Sequence, residues 1–162
     1  MDRTAYPTIA PLSREPNTTM SSSRSNTSIR RPLAKADLLP LKTEHVRSLS
    51  LENHLALAAV RSGRGSDDQI SCLLRVVYLA FFMREATRIG TDPEPFRQAE
   101  AVLDQCISRA ERGEPWTLKD DEHEAIEHAL VLHDEQLAAI QKYRYVEAWE
   151  RLQRYMIGGF RS

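Results

Sequence analysis

The feature that most constrains the fold is an apolar run from Cys72 to Met83, in which Arg75 is the only charged residue. In a helix these side chains cover the whole circumference, so the helix must be surrounded by protein. Ser66, followed by two aspartates, is typical of a helix start, and Gly90 of a left-handed helix end. A segment of this length is too long for a buried strand. The sequence therefore predicts a central buried helix between Ser66 and Gly90.

Four further segments have helical periodicity, and none alternates as a strand would. The first is 51–62, capped by Ser50, with Leu51, Leu55 and Ala58 inward; the next begins at Thr91-Asp92-Pro93 and ends at Gly113, with Phe96, Ala99, Leu103, Cys106 and Ala110 inward. The third is 118–140, with Ile126, Leu130, His133, Leu137 and Ile140 inward; the last ends at Gly158-Gly159, with Tyr145, Ala148, Trp149, Leu152 and Met156 inward. We expect an all-α bundle of four or five helices around the central one. No Pro or Gly marks the join near 141–143, so the last two helices are either separate or one bent rod.

Two connections have specific signals. Gly63-Arg64-Gly65 predicts a flexible hairpin rather than an anion-binding nest, because the two aspartates after Ser66 would repel a phosphate. Before the fourth helix, Thr117 and Asp120 approximate a capping box. Trp116 is expected to anchor that loop against the bundle.

Residues 1–48 are rich in Ser, Thr, Pro, Asn and Arg, and the stretch 21–28 contains nothing apolar. Such a segment cannot repay the entropy of ordering, which predicts a disordered arm followed by a helical domain over 49–162. The arm holds eight Lys or Arg and four acids, against fourteen and nineteen in the remainder. Met20 is an alternative start to Met1.

Composition excludes several classes of protein. The formal net charge of -1 gives no overall attraction to nucleic acid or anionic lipid. Cys72 and Cys106 lie in apolar helical patterns without metal-ligand spacing, which indicates reduced thiols and a cytoplasmic protein. We find neither a secretion signal with an apolar core nor an apolar run long enough to span a membrane. We predict no cofactor, no membrane partner and no small-molecule substrate.

An acidic stretch with two histidines, 120–128, is a candidate metal site. His123 with Glu127, and Glu124 with His128, are pairs at i,i+4. Zinc proteases instead need two histidines at i,i+4, and di-iron bundles need Glu-x-x-His, which does not occur in this sequence. The stretch is therefore predicted to be a solvated acidic first turn on the outer side of its helix, without metal.

Two other histidines are buried polar residues of interest. His133 lies on the inward seam of its helix, and His54 lies beside the seam of the first helix. Catalysis by His133 would require Cys72 or Cys106 as a nucleophile and a third group to orient the ring. Because nothing local supplies that group, we predict a core or boundary histidine and no catalytic residue.

Cations and aromatic residues alternate in the last helix, a pattern that can bind nucleic acid or a protein partner. The candidate contact residues are Lys142, Tyr143, Arg144, Arg151 and Arg154. Glu147 and Glu150 each precede an arginine by four residues, so salt bridges are expected to neutralise the positive charge of the last helix.

The domain resembles a group of short, uncharacterised proteobacterial proteins of accessory or mobile genome regions, some labelled Fis-family transcriptional regulators. The resemblance is carried by 50–58 (SLENHLALA), 114–118 (EPWTL), 132–137 (LHDEQL) and 144–152 (RYVEAWERL). It implies a bacterial, cytoplasmic protein and no particular site residue. A helix-turn-helix is not indicated, because its second helix must be free to enter the DNA groove. The one short glycine-containing turn, 63–65, is instead followed by the helix that is predicted to be the most buried.

These observations favour three functions over a fourth, which is an enzyme or metalloprotein that uses His123, Glu127 and His133. The first is a non-enzymatic regulatory or protein-interaction module of a bacterial accessory or mobile element, acting through helix-face contacts with a partner or with itself. The second is a DNA-associated transcriptional regulator that uses the basic arm and the last helix. The third is an exported effector whose first 48 residues are the secretion signal.

Overall fold

The computed structural model describes residues 32–159, and this part of the chain is an all-α bundle, as predicted. A short 3₁₀ turn, Lys35–Leu38, precedes five helices. They are α1 (Thr43–Arg61), α2 (Asp67–Thr87), α3 (Glu94–Glu111), α4 (Asp120–Ala139) and α5 (Lys142–Gly159).

The predicted central helix is α2, which packs against each of the other four helices. Its start is confirmed: the Ser66 hydroxyl accepts from the Asp68 amide, and the Gln69 side chain accepts from the Ser66 amide. Its end differs from the prediction, because Arg88 takes the left-handed position with φ 58°. Gly90 also has positive φ, and a Cβ there would lie 2.9 Å from the Phe96 ring, so this glycine makes room for the next helix.

The predicted inward seams of α3 and α4 are confirmed except at Ala110, which is half-buried. Phe96, Ala99, Leu103 and Cys106 are buried in α3, and Ile126, Leu130, His133, Leu137 and Ile140 are buried along α4 or at its end. The predicted capping box before α4 is wrong, because α4 begins at Asp120 and the Glu122 side chain accepts from the Lys119 amide. The carbonyl of Thr117 instead accepts from Arg109, while Trp116 packs partly buried against the core, as expected.

The predicted boundary between arm and domain at 48/49 is wrong, because α1 begins at Thr43. The preceding residues also belong to the bundle: Asp37 pairs with Lys142 at 3.0 Å, and Pro40 forms a β-bridge with Gln141. The predicted disorder of the arm and the choice of start at Met20 concern residues 1–31, which lie outside the described residues.

The predicted inward face of α1 is also wrong. Leu51 is 61% exposed, Leu55 is 59% exposed, and Ala58 is exposed as well. The buried residues of α1 are Asn53, Ala56, Leu57 and Val60. Both sets have helical spacing, and α1 turns the second set toward α2 and α4.

The last two helices are separate. Ile140 has extended backbone (ψ 140°), which ends α4 and leaves Gln141 to pair with Pro40 before α5 begins. On α5, the predicted inward residues Tyr145, Ala148 and Leu152 are buried and Trp149 is partly buried, but Met156 is 38% exposed.

Within residues 32–159, no helix combines the length and the apolar character that crossing a lipid bilayer would require.

The predicted flexible hairpin at 63–65 is a tightly packed turn at Gly65. A Cβ on Gly65 would lie 2.5 Å from the carbonyl oxygen of Trp116 and 3.0 Å from Cα of Val60. Because both obstacles are backbone atoms, Gly65→Ala is expected to lower the free energy of unfolding by about 1–3 kcal/mol in urea denaturation. Gly158→Ala is the control, since within the described residues nothing beyond its own helical turn and chain neighbours lies within 4 Å of its added Cβ. Equal stability of the two variants would contradict the packing described for this turn.

Candidate interaction surface

The outer side of α1 and α4 exposes an apolar stripe, which we call the α1/α4 face. It consists of Leu51, Leu55 and Ala58 of α1 and Val131 of α4. The α1 members follow one another at intervals of four and three, which aligns them on one side of the helix. Val131 is 50% exposed. Single exposed apolar residues are common on proteins, whereas an aligned set is typical of a contact surface.

One hydrogen bond and one ion pair join α1 to α4. The His54 Nε2 atom lies 2.8 Å from Asp134 Oδ2, and Arg61 Nη1 lies 2.5 Å from Glu127 Oε1. The residue numbers rise along α1 from 54 to 61, whereas those of their partners in α4 fall from 134 to 127. The two helices are therefore antiparallel. This register places Val131 between the two contacts on the same side of α4, because residues 127, 131 and 134 share one side of a helix. His54, predicted to be buried, is exposed at this seam.

The candidate metal ligands are distributed around α4. Glu124 and His128 are exposed, Glu127 pairs with Arg61, and His123 is buried. In the part of the chain that the structure describes, no group of three His, Cys, Asp or Glu side chains is placed to hold a metal ion.

The expectation of a solvated acidic first turn is wrong at two positions, Glu122 and His123, which are 6% and 8% exposed. Glu122 accepts two hydrogen bonds from Arg109 of α3, at 2.8 and 2.7 Å. Sequence reasoning missed this pair, because its two members lie on different helices and Glu122 is surrounded in the sequence by solvent-exposed acids.

His133 lies in a cleft of about 250 Å³ among α1, α2, α4 and α5. The Nδ2 atom of Asn53, which is also buried, lies 3.5 Å from His133 Nδ1. Nε2 is buried without a hydrogen-bond partner among the described residues. Tyr145 and Trp149 form the aromatic wall, and Arg75 pairs with Glu52 (3.2 Å) among the lining residues.

Neither cysteine is activated as a nucleophile by its surroundings. Burial raises the pKa of the Cys72 thiol, and the nearby Arg75 offsets part of this rise. Burial likewise raises the pKa of Cys106, whose Sγ donates to the Thr117 carbonyl at 3.4 Å. The thiolate is the reactive form of cysteine, so both side chains are held in their less reactive form.

Burial lowers the pKa of His133 to about 4, with Asp134 opposing part of the effect. The unfolded chain takes up a proton near pH 6.5, before the folded one does. We therefore expect the contribution of His133 to the free energy of unfolding to be intact above pH 6.5. It should fall by up to about 1.4 kcal/mol per pH unit as the pH is lowered from 6.5 to 4.

The measurement is urea denaturation of the wild type and of His133→Gln between pH 4 and 8. Partial burial and the Glu100 carboxylate raise the pKa of Asp104 to about 6, which acts with the opposite sign. Asp104 is present in both chains, so the difference between the two curves isolates His133. A difference that is constant across this range would contradict the buried neutral imidazole.

The candidate contact residues of α5 are mostly engaged within the chain. Arg144 pairs with Glu147 at 3.0 Å and lies over the Tyr143 ring at 4.9 Å. Arg151 approaches Glu85 at 3.8 Å, and Lys142 pairs with Asp37. Arg154 is exposed. The expected pairs from Glu147 to Arg151 and from Glu150 to Arg154 do not form among the described residues, because these arginines and Glu147 face other partners or solvent.

The fold and this surface define a helical-bundle protein with an uncovered apolar stripe on one side. Comparison of the chain with protein-family models, curated proteins and solved structures yields no match. The resemblance to proteobacterial accessory-genome proteins therefore stays a prediction.

Proposed function

We propose that the protein is an interaction module that binds a protein partner through the α1/α4 face. The observation that carries the proposal is the exposure of Leu51 and Leu55, which follow a helical spacing but do not serve the core. An apolar seam with intervals of four and three is the pattern by which one helix packs on another.

The energetics favour a covering partner. Two leucines that are each about 60% exposed leave apolar area in water, and burying a whole leucine side chain is worth about 1.5–3 kcal/mol. Covering the stripe is therefore favourable, and the core does not require these residues because Leu57 and Val60 fill the opposite side of α1.

The alternative of a DNA-associated regulator has less support among the described residues. Arg144 and Arg151, two of its candidate contacts, already have the carboxylates Glu147 and Glu85 beside them. Neighbouring carboxylates reduce the attraction of an arginine for phosphate. The basic arm and the export hypothesis depend mainly on residues 1–31. A regulatory role and a bacterial accessory element are part of the proposal through the resemblance alone, and a cytoplasmic location through the resemblance and the two free cysteines.

Site-specific photo-crosslinking in the native host tests the proposal. A photoreactive amino acid replaces Leu55 in the full chain, and the control replaces Val146, which is 45% exposed on α5. We expect a protein adduct at position 55 that survives nuclease treatment, is lost with Leu51→Asp, and is absent at position 146. Equal crosslinking at both positions, or an adduct that disappears with nuclease, would contradict the α1/α4 face as a protein-docking surface.

A further inference from the structure

We infer that the partner of the α1/α4 face presents a basic amphipathic helix, in which apolar side chains at helical spacing are flanked by Lys or Arg. This inference rests on the proposed function and adds the chemistry of the partner. It follows from the charges that border the apolar stripe.

The α4 side of the stripe is acidic. None of the twenty residues of α4 is Lys or Arg. Three of its acids, Glu122, Glu127 and Asp134, have partners in Arg109, Arg61 and His54. Four others are exposed and form no ion pair in the described part of the chain: Asp120, Asp121, Glu124 and Glu135.

Two of these acids lie next to the apolar stripe. Glu124 precedes Val131 by seven residues and Glu135 follows it by four, so all three lie on the same side of α4. All three are exposed. A helix lying on the stripe would therefore place its flanking side chains over two carboxylates that lack a cation.

The α1 side offsets only part of this charge. Arg64, which follows the end of α1, is exposed, and its Nε donates to Ser62 Oγ at 3.3 Å. Arg61 is paired with Glu127, and His54 is paired with Asp134. Arg47 is exposed near the start of α1, three residues after the exposed Glu44. The border of the stripe therefore retains an excess of negative charge near Val131.

The same charges disfavour other occupants. A second copy of the chain would bring two identical acidic borders together, and like charges across an interface are costly. Nucleic acid and anionic lipid would be repelled for the same reason. Residues 1–31 carry five arginines and two acids, so the chain's own N-terminal segment is an alternative occupant for the test to exclude.

Three synthetic peptides of about five helical turns, or about 18 residues, serve as probes. They share a leucine face and carry Lys, Gln or Glu at the remaining positions; a fourth peptide is residues 1–31 of the chain. Binding to the full-length protein is measured by fluorescence anisotropy at low and high salt. The protein variants are Leu55→Asp, the double variant Glu124→Gln/Glu135→Gln, and the control double variant Glu147→Gln/Glu150→Gln on α5.

We expect the Lys peptide to bind most tightly and the Glu peptide least. Removing the two α4 carboxylates is expected to weaken the binding of the Lys peptide about five-fold and to reduce the salt dependence of that binding, since exposed ion pairs contribute little each and are screened by salt. The α5 control should bind like the wild type, and Leu55→Asp should abolish binding.

Each other outcome is decisive. Binding of the Gln or Glu peptide as tightly as the Lys peptide, dependent on Leu55, would overturn the basic partner and leave the proposed docking surface in place. Tighter, Leu55-dependent binding of the 1–31 peptide would assign the face to the chain's own segment. Binding that is unaffected by Leu55→Asp, or no binding, would overturn the inference, and the crosslinking at position 55 then decides the proposed function separately.

Discussion

Replacing Leu73 by alanine is expected to lower the free energy of unfolding by about 3–5 kcal/mol, one of the two largest effects of a single substitution that we expect. Leu73 is fully buried in α2, so truncation loses transfer free energy and leaves a cavity that the four surrounding helices cannot fill. The same change at Leu55 removes a side chain that is mostly in water. We expect it to alter stability by less than about 0.5 kcal/mol.

Urea denaturation of the two variants and the wild type measures the two losses of unfolding free energy. The slope of the free energy against urea concentration is fitted for each variant separately. Both substitutions exchange leucine for alanine inside a helix, so their helix propensities change equally and only the packing differs. A loss at Leu55 as large as the loss at Leu73 would mean that α1 packs its seam inward in solution. That result would remove the basis of the docking surface as well as the description of α1.

The contrast between α2 and α1 also shows where sequence reasoning succeeds. The run in α2 is apolar on every side, so its central position does not depend on knowing which face meets which neighbour. The seam of α3 was predictable for a related reason, because this helix has one dominant apolar stripe opposite a charged side. In α4, the large apolar residues at intervals of four and three are the inward ones. Helix α1 has two stripes, and the inward one includes the polar Asn53. Periodicity alone favoured the leucines.

The start of α1 was missed because residues up to 48 were assigned to the arm as one polar segment. The contacts that hold this segment are distant in sequence: Asp37 with Lys142, and Pro40 with Gln141. Contacts between residues so far apart in the chain produce no periodic pattern in the sequence. The α1/α4 face was not predicted, because the sequence pattern assigned Leu51, Leu55 and Ala58 to the core. Their outward direction follows from tertiary packing.

The buried polar groups were the least predictable part of the molecule. His133 was correctly predicted to be a core residue, but its link to Asn53 joins α4 to α1 across eighty residues. His54 was predicted to be buried and instead pairs with Asp134 at the surface. Polar partners of this kind are selected by three-dimensional proximity, which a spacing argument cannot supply.

The second large effect is expected at Glu122, where substitution by alanine should cost about 3–5 kcal/mol of the free energy of unfolding. Glu122 and Arg109 have side chains that are 7% and 11% exposed and form two hydrogen bonds with each other. Burial opposes the charged carboxylate, yet the hydrogen bonds from Arg109 and from the Lys119 amide outweigh it, so the pKa of Glu122 is lowered. Removing the carboxylate leaves the Arg109 cation buried without its partner and the start of α4 without its cap.

The control is Glu124→Ala, two residues further along the same helix at an exposed position, which should change stability by less than about 0.5 kcal/mol. A second comparison separates the ion pair from the cap. Replacing both members, as Arg109→Met with Glu122→Gln, removes the unpaired cation while an amide oxygen still accepts from Lys119. This double variant should recover much of the loss, because the cost of breaking a buried pair lies mainly in the charge left behind. A double variant less stable than Glu122→Ala would mean that Arg109 stabilises the α3–α4 connection chiefly through its other hydrogen bond, to the Thr117 carbonyl at 3.1 Å.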